Sequence, residues 1–219
     1  MYHLDCCEEW KSIHLNDTWV YNKLVLNQRL GHLCGPTGCP VSYSGDYIVR
    51  PCINLLGMGR FSRIEWIEKS TDHLHPAEFW CEIFKGEHLS VDFQNKESKL
   101  VVLGTRDHID PLYKWKQWTK IDHKVEFPSI LNDLSGDYEW INCEFIDNHL
   151  IEVHFRRNPD FRYGNTVAIP VWNEDNVKDI DNLVFVEDND YLRKGFYIDS
   201  RDSNPVKSSD LQNQEQNGR

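Results

Sequence analysis

The residue types best suited to chemistry fall within INCEFIDNHLIEVHFRRNPDFRYG, positions 141–164. Two β-prone runs, 140–146 and 150–155, flank Asp147, Asn148 and His149, and an Asp-Asn pair between such runs is a hairpin signal. Side chains alternate faces along a strand, so Glu152, His154 and Arg156 share one side of the second run. In that register Ile151, Val153 and Phe155 point the other way, into a core. Pairing of the runs brings Glu144 to Glu152 and His154, with Arg156 nearby. Two carboxylates beside an imidazole are hard oxygen and nitrogen ligands, suited to Mg²⁺ or Mn²⁺ held against phosphate. A solvated strand face with routine ion pairs has the same pattern.

Other elements must position this hairpin against a ligand. Residues 17–30 read as one helix, capped by Asp17, with Trp19, Leu26 and Leu30 as its apolar stripe and Gly31 at its end. Lys23 lies within it, as a solvated lysine unless a ligand claims it. A Gly-, Pro- and Ser-rich connection leads into YIVRP, a strand ended by Pro51. Gly57 and Gly59 follow, and glycines let backbone N–H groups approach phosphate. Arg50 adds charge beneath that loop. A tight hairpin would use the same glycines, and GMG has neither P-loop nor GxGxxG spacing.

Farther on, 79–84 and 88–93 read as strands joined by a turn at 85–87, and 96–103 as another. Lys114, Lys116 and Lys120 interleave with Trp115 and Trp118. Such a segment covers a cleft, binds a polyanion, or packs rings at a lobe boundary with lysine heads in water. Residues 129–134 form a short helix candidate. TVAIPVW reads as a buried strand limited by Pro170, 195–198 as a last edge strand, and 201–219 as a flexible polar tail.

Composition bounds the function. The chain has 219 residues, 40% hydrophobic and 12% aromatic, with eight tryptophans and nine tyrosines, enough for a sizeable core. A net charge of −11 argues against broad binding of duplex nucleic acid, while Arg156, Arg157 and Arg162 still allow a local phosphate pocket. Residues 1–10 lack the basic region and apolar core of a secretory signal, and nothing is long and apolar enough to span a bilayer. Seven cysteines without a dense framework suit reduced thiols in the cytoplasm, or host cytoplasm for a viral protein. His32, Cys34 and Cys39 make only an incomplete zinc set. His73 and His75 read as loop histidines.

In their order, these pieces resemble a short, divergent ATP-grasp domain over about residues 20–172. YIVRP with NLLGMG resembles the phosphate-contacting strand and lid loop. FWCEIFKGEHLSVDF resembles the segment that reads adenine at the lobe boundary. NCEFIDNHLIEVHFRRNP resembles the metal-binding end, where an acid on one strand is followed by E-x-N on the next. The resemblance implies an α+β, two-lobed fold with antiparallel sheets and a nucleotide cleft between lobes. Its expected divisions are an arm at 1–19, a small nucleotide-binding lobe at 20–78, a large lobe at 79–200 and the tail.

It further implies ATP and Mg²⁺ (or Mn²⁺), with Lys23 and Arg50 on the nucleotide and Gly57, Met58 and Gly59 over its phosphates. Glu82 and Phe84 would line the adenine cleft, and Glu87 would meet the ribose. Glu144 and Glu152 would hold the metal, with His154 where asparagine is usual. Arg156 or Arg157 would meet the transferred phosphate, giving Arg50, Arg156 and Arg157 catalytic roles. The activity implied is ATP-dependent carboxylate–amine ligation through an acyl phosphate, on a small-molecule or peptide carboxylate and an amine acceptor. Histidine for asparagine and arginine for lysine depart from the family pattern. They leave open a catalytically inactive binding or structural protein, of viral origin among other options, working with a protein partner or as a homo-oligomer. A two-carboxylate glycosidase would leave the arginine and the phosphate loop without a job.

Overall fold

Period-two alternation shapes most of this chain. Along His88–Gln94, Leu89, Val91 and Phe93 enter the core while His88, Ser90 and Asp92 take the opposite face. The computed structural model describes residues 11–53, 59–107, 111–190 and 192–199. The expected tail and most of the expected N-terminal arm lie outside them.

The smaller sheet contains β1 (Cys34–Pro36), β2 (Gly45–Pro51), β3 (Arg63–Ile67) and β4 (Glu78–Cys81), in the order β1-β4-β2-β3. Val41, Tyr47, Val49, Ile67, Leu74 and Trp80 form its core. The larger sheet contains β5 (His88–Gln94), β6 (Glu97–Thr105), β7 (Gln117–Lys120), β8 (Ile141–Ile146), β9 (His149–His154), β10 (Val167–Trp172), β11 (Leu183–Asp190) and β12 (Arg193–Asp199). Its order is β11-β12-β10-β7-β6-β5-β8-β9, and every pairing in both sheets is antiparallel. With few helical turns, this is a two-lobed α+β fold.

The larger sheet buries different faces along its width. Val101 of β6 joins Val91, Cys143 and Val153 beneath one end, whereas neighbouring Val102 joins Trp118, Ala168 and Phe196 above the other. Adjacent strand residues point oppositely, so β6 serves both cores.

Six local expectations are corrected. The single helix over 17–30 is broken into a 3₁₀ segment, Leu15–Tyr21, and α1, Lys23–Arg29. Asn22 causes the break: its side chain accepts from the Val25 N–H at 3.2 Å and restarts the helix as an N-cap. Asp17 is no cap but a buried latch, accepting from Ser135 N, Gly136 N and the Tyr138 hydroxyl. Residues 85–87 are not a hairpin turn, because β4 and β5 belong to different sheets and the segment between them crosses from one to the other. The 195–198 run lies within β12, between β10 and β11, and β11 is the edge. The helix at 129–134 shortens to a 3₁₀ turn at Ser129–Leu131. Pro170 does not limit β10, which continues to Trp172.

Candidate functional site

A cavity of about 1310 Å³ draws its walls from both sheets and from the segment crossing between them. The β8–β9 hairpin forms part of its floor. Glu144 and Glu152 are direct cross-strand partners on the cleft side, and Asn142 pairs with His154 one step along. Behind them Cys143, Phe145, Leu150 and Val153 enter the core. The register slips between Glu144 and Phe145, making Ile151 the extra residue of a bulge. Strict alternation therefore fails at one place: Ile151 lines the cleft, and Leu150 takes the expected core position. The turn contains Asp147 and Asn148, with Asp147 at φ +54°, in the left-handed region that short polar side chains tolerate.

Each acid has a basic partner. Glu152 meets the Lys23 Nζ at 2.9 Å, His154 Nε2 at 3.0 Å and the Arg50 guanidinium at 3.9 Å. Burial opposes charge on Glu152, but Lys23, His154 and Arg50 outweigh it and hold the carboxyl well below its ordinary value. Lys23 is 4% exposed, so burial pushes its ammonium below the usual lysine value against the pull of Glu152. Arg50 donates to the Ile151 carbonyl at 2.8 Å, tying β2 of the small sheet to β9 of the large one. Glu144, with 30% of its side chain exposed, meets His88 Nε2 at 3.1 Å. Burial raises and His88 lowers its pKa, with a net downward shift despite Glu152 opposite.

Beneath the acids runs a polar row not anticipated from sequence. Asn142 donates to Ser90 Oγ and to Asp92 Oδ1, and Asn158 reaches the same two atoms through its side chain and backbone N–H. Asp92 is 1% exposed, and burial raises its pKa despite Asn142 and the Asn158 N–H. The signal was present in His88, Ser90 and Asp92, which alternate with three core residues. At another part of the cleft Arg193 binds both oxygens of Asp160 and one of Asp188.

The remaining expected residues separate into those the fold gathers and those it does not. Lys23, Arg50, Gly59, Glu82, Phe84, Glu87 and Arg156 all line the cleft. Glu82 uses one carboxylate oxygen to accept from the Leu33 N–H at 2.8 Å. Phe84 stacks on His149 with centroids 4.2 Å apart, and His32 meets both rings edge-on. Glu87 is exposed, and its carbonyl accepts from Asp147 N. Arg157 is not among the cleft-lining residues: its guanidinium lies over Trp140, 4.5 Å from the ring centroid. Gly57 and Met58 lie outside the described residues.

Two facing carboxylates meet the usual protein share of an Mg²⁺ site, since that ion takes one or two carboxylates and completes its shell with phosphate and water. The donor chemistry fits. His154 hydrogen-bonds to Glu152, and among the described residues no group of three His, Cys, Asp or Glu side chains is arranged to hold a metal. The protein thus offers two hard ligands rather than a closed cage. No helix among the described residues is long and apolar enough to cross a membrane.

No protein-family model matches the sequence, and no curated protein matches it. Two structures of the ATP-grasp ligase PsnB, one with a minimal precursor and one with a phosphomimetic precursor variant, Mg and ADP, have TM-scores of 0.37 and 0.39 and identities of 13% and 12%. They match 65% and 68% of this chain and 53% and 54% of their own. A further structure covers 84% of this chain and 65% of its own, so the chain spans between about half and just under two thirds of the length of these three structures. That further one, similar at a TM-score of 0.49 and 12% identity, is a crystal structure described as a putative ATP-grasp superfamily protein from Archaeoglobus fulgidus.

Proposed function

We propose that the cleft binds a nucleoside triphosphate with Mg²⁺ and activates a carboxylate for ligation to an amine, as in ATP-grasp ligases. The observation that carries this reading is the opposed Glu144–Glu152 pair, ringed by Lys23, Arg50 and His88 between two sheets. Glu144 and Glu152 would hold the metal, whose chemistry is to neutralise phosphate charge. Lys23 and Arg50 stand beside Glu152 and would exchange it for phosphate oxygens. Arg156 supplies further positive charge along the same wall.

In the reaction, a substrate carboxylate oxygen attacks the γ-phosphorus and ADP leaves. An amine then attacks the resulting acyl carbon, releasing phosphate and forming the amide. No nucleophile from the chain is needed. Among the cysteines, Cys143 is buried in the core on the side opposite the acids, and burial raises its thiol pKa well above the ordinary value.

The test is ADP release by the purified chain supplied with ATP, pools of carboxylic acids and peptides, and amine acceptors, with and without Mg²⁺. Mg²⁺-dependent release that needs both an acid and an amine supports ligation; the absence of both nucleotide binding and turnover defeats it. A second reading, a nucleotide-binding module without turnover, is favoured by one feature. Glu152 already holds Lys23 and His154 at 2.9 and 3.0 Å, so a metal must displace contacts that the protein makes for itself. Binding without ADP release in every pool selects it.

A further inference from the structure

Another part of the cleft wall is built around Gly104. A Cβ there would lie 2.7 Å from Trp115 and 2.8 Å from Trp118, so the missing side chain is what lets two indoles rest on β6. His88 and Trp118 flank Gly104 across the sheet, and the His88 ring stands edge-on to Trp115 and Trp118 at 4.6 and 5.6 Å. The Trp172 indole N–H holds the Trp115 carbonyl at 3.3 Å. Arg106 lies over this shelf, its guanidinium carbon 3.5 Å from the centroid of Trp115. All five side chains line the cavity.

Arg106 differs in its partners from Arg193 and Arg50. Arg193 is clasped by Asp160 and Asp188, and Arg50 by the Ile151 carbonyl with Glu152 nearby. Arg106 shares with Arg50 and Arg193 a buried Nε without a hydrogen-bond partner, but among the described residues no acidic side chain lies within ion-pairing distance of it. Burial pushes its pKa down to about 10, with only the pull of Glu144 opposing it. Stacking on an indole offsets part of that desolvation but leaves the in-plane N–H donors available, and their fork matches a carboxylate.

We infer that Arg106, seated on the Trp115–Trp118 shelf, binds the carboxylate of a ligand whose body is apolar or aromatic. The shelf accommodates a flat hydrocarbon surface, and Leu103 and Leu112 extend the apolar lining. His88 connects the shelf to Glu144, so the bound acid shares a wall with the acidic pair. Naming this acid as the group activated by ATP rests on the proposed ligase function; its binding at Arg106 does not.

The test follows the tryptophan side-chain NMR signals of the full chain during titration with 3-phenylpropionate and with neutral 3-phenylpropanamide. The acid shifts the Trp115 signals saturably, and the amide binds weaker by about tenfold or more. Arg106→Met abolishes that preference while keeping the wild-type thermal midpoint, and Arg106→Lys retains part of it. A parallel titration with N-acetylglycyl-phenylalanine separates the sources: tighter binding than phenylpropionate assigns the site to a peptide terminus, weaker binding to a free acid. Equal binding of acid and amide, a preference that survives Arg106→Met, or no saturable shift overturns the assignment. Nucleotide binding is measured separately, so its failure would remove the ligase reading and leave this result standing.

Discussion

Replacing Lys23 with methionine isolates the electrostatic centre of the cleft. At 2.9 Å the Lys23–Glu152 attraction is about 6 kcal/mol at an effective dielectric near 20. Burying the two ions consumes a similar amount, so the intact pair contributes little net stability. Lys23→Met keeps the aliphatic stem but leaves Glu152 desolvated beside His154 and Arg50, at 3.0 and 3.9 Å. Removing one partner of a buried pair costs about 3–5 kcal/mol, and His154 and Arg50 place this case near the lower end, at about 3 kcal/mol. For a chain of this size that lowers the thermal midpoint by about 6–12 °C.

The pH dependence has a definite sign. The Glu152 carboxyl titrates well below its ordinary value of 4.5 in the folded state, so its contribution is complete above that value and lost as pH falls through the depressed one. Without Lys23 the folded-state value rises, and the acid loss begins at higher pH. Calorimetry of wild type, Lys23→Met, Glu152→Gln and the double variant across pH reads both effects. The double variant should recover a substantial part of the single losses. A midpoint shift below about 2 °C for Lys23→Met, or strictly additive losses, would refute this electrostatic account.

Asp17→Ala removes the buried carboxylate that accepts from three donors and should destabilise the chain by about 2–3 kcal/mol in denaturant titration, with Asp17→Asn losing less. Gly104→Ala should cost about 1–3 kcal/mol and alter tryptophan fluorescence, because rigid indoles must move from a Cβ at 2.7 Å. Asp92 has a raised pKa, so the folded state holds its proton longer and stability falls as pH rises from 3.8 through the folded value. Asp92→Asn should flatten that decline in pH-dependent unfolding.

The hairpin was legible because its acids, its turn and Cys143, Phe145 and Val153 obey one period, and the bulge at Ile151 escaped because inserting a residue leaves no mark in a six-residue strand. Lys23 was located within a helix, but its burial was hidden: Asn22 breaks that helix, and the acid that receives the lysine is 129 residues away in sequence. The break between β4 and β5 was illegible for a related reason. Lys85, Gly86 and Glu87 are good turn residues, and local chemistry cannot tell a hairpin from a crossing between sheets. Arg106 carried no motif at all; its character comes from Gly104 and Trp115 and, among the described residues, from having no acid at ion-pairing distance, which only the assembled sheet brings together.

The central claim is that Glu144 and Glu152 face one cation and one polyphosphate. Diffraction from crystals grown with Mn²⁺ and a non-hydrolysable ATP analogue, read at the manganese edge, tests it directly. An anomalous peak within coordination reach of both carboxylates and of the phosphates is expected. Nucleotide bound elsewhere, or a cleft in which Lys23 still holds Glu152 and no metal touches either acid, would contradict it.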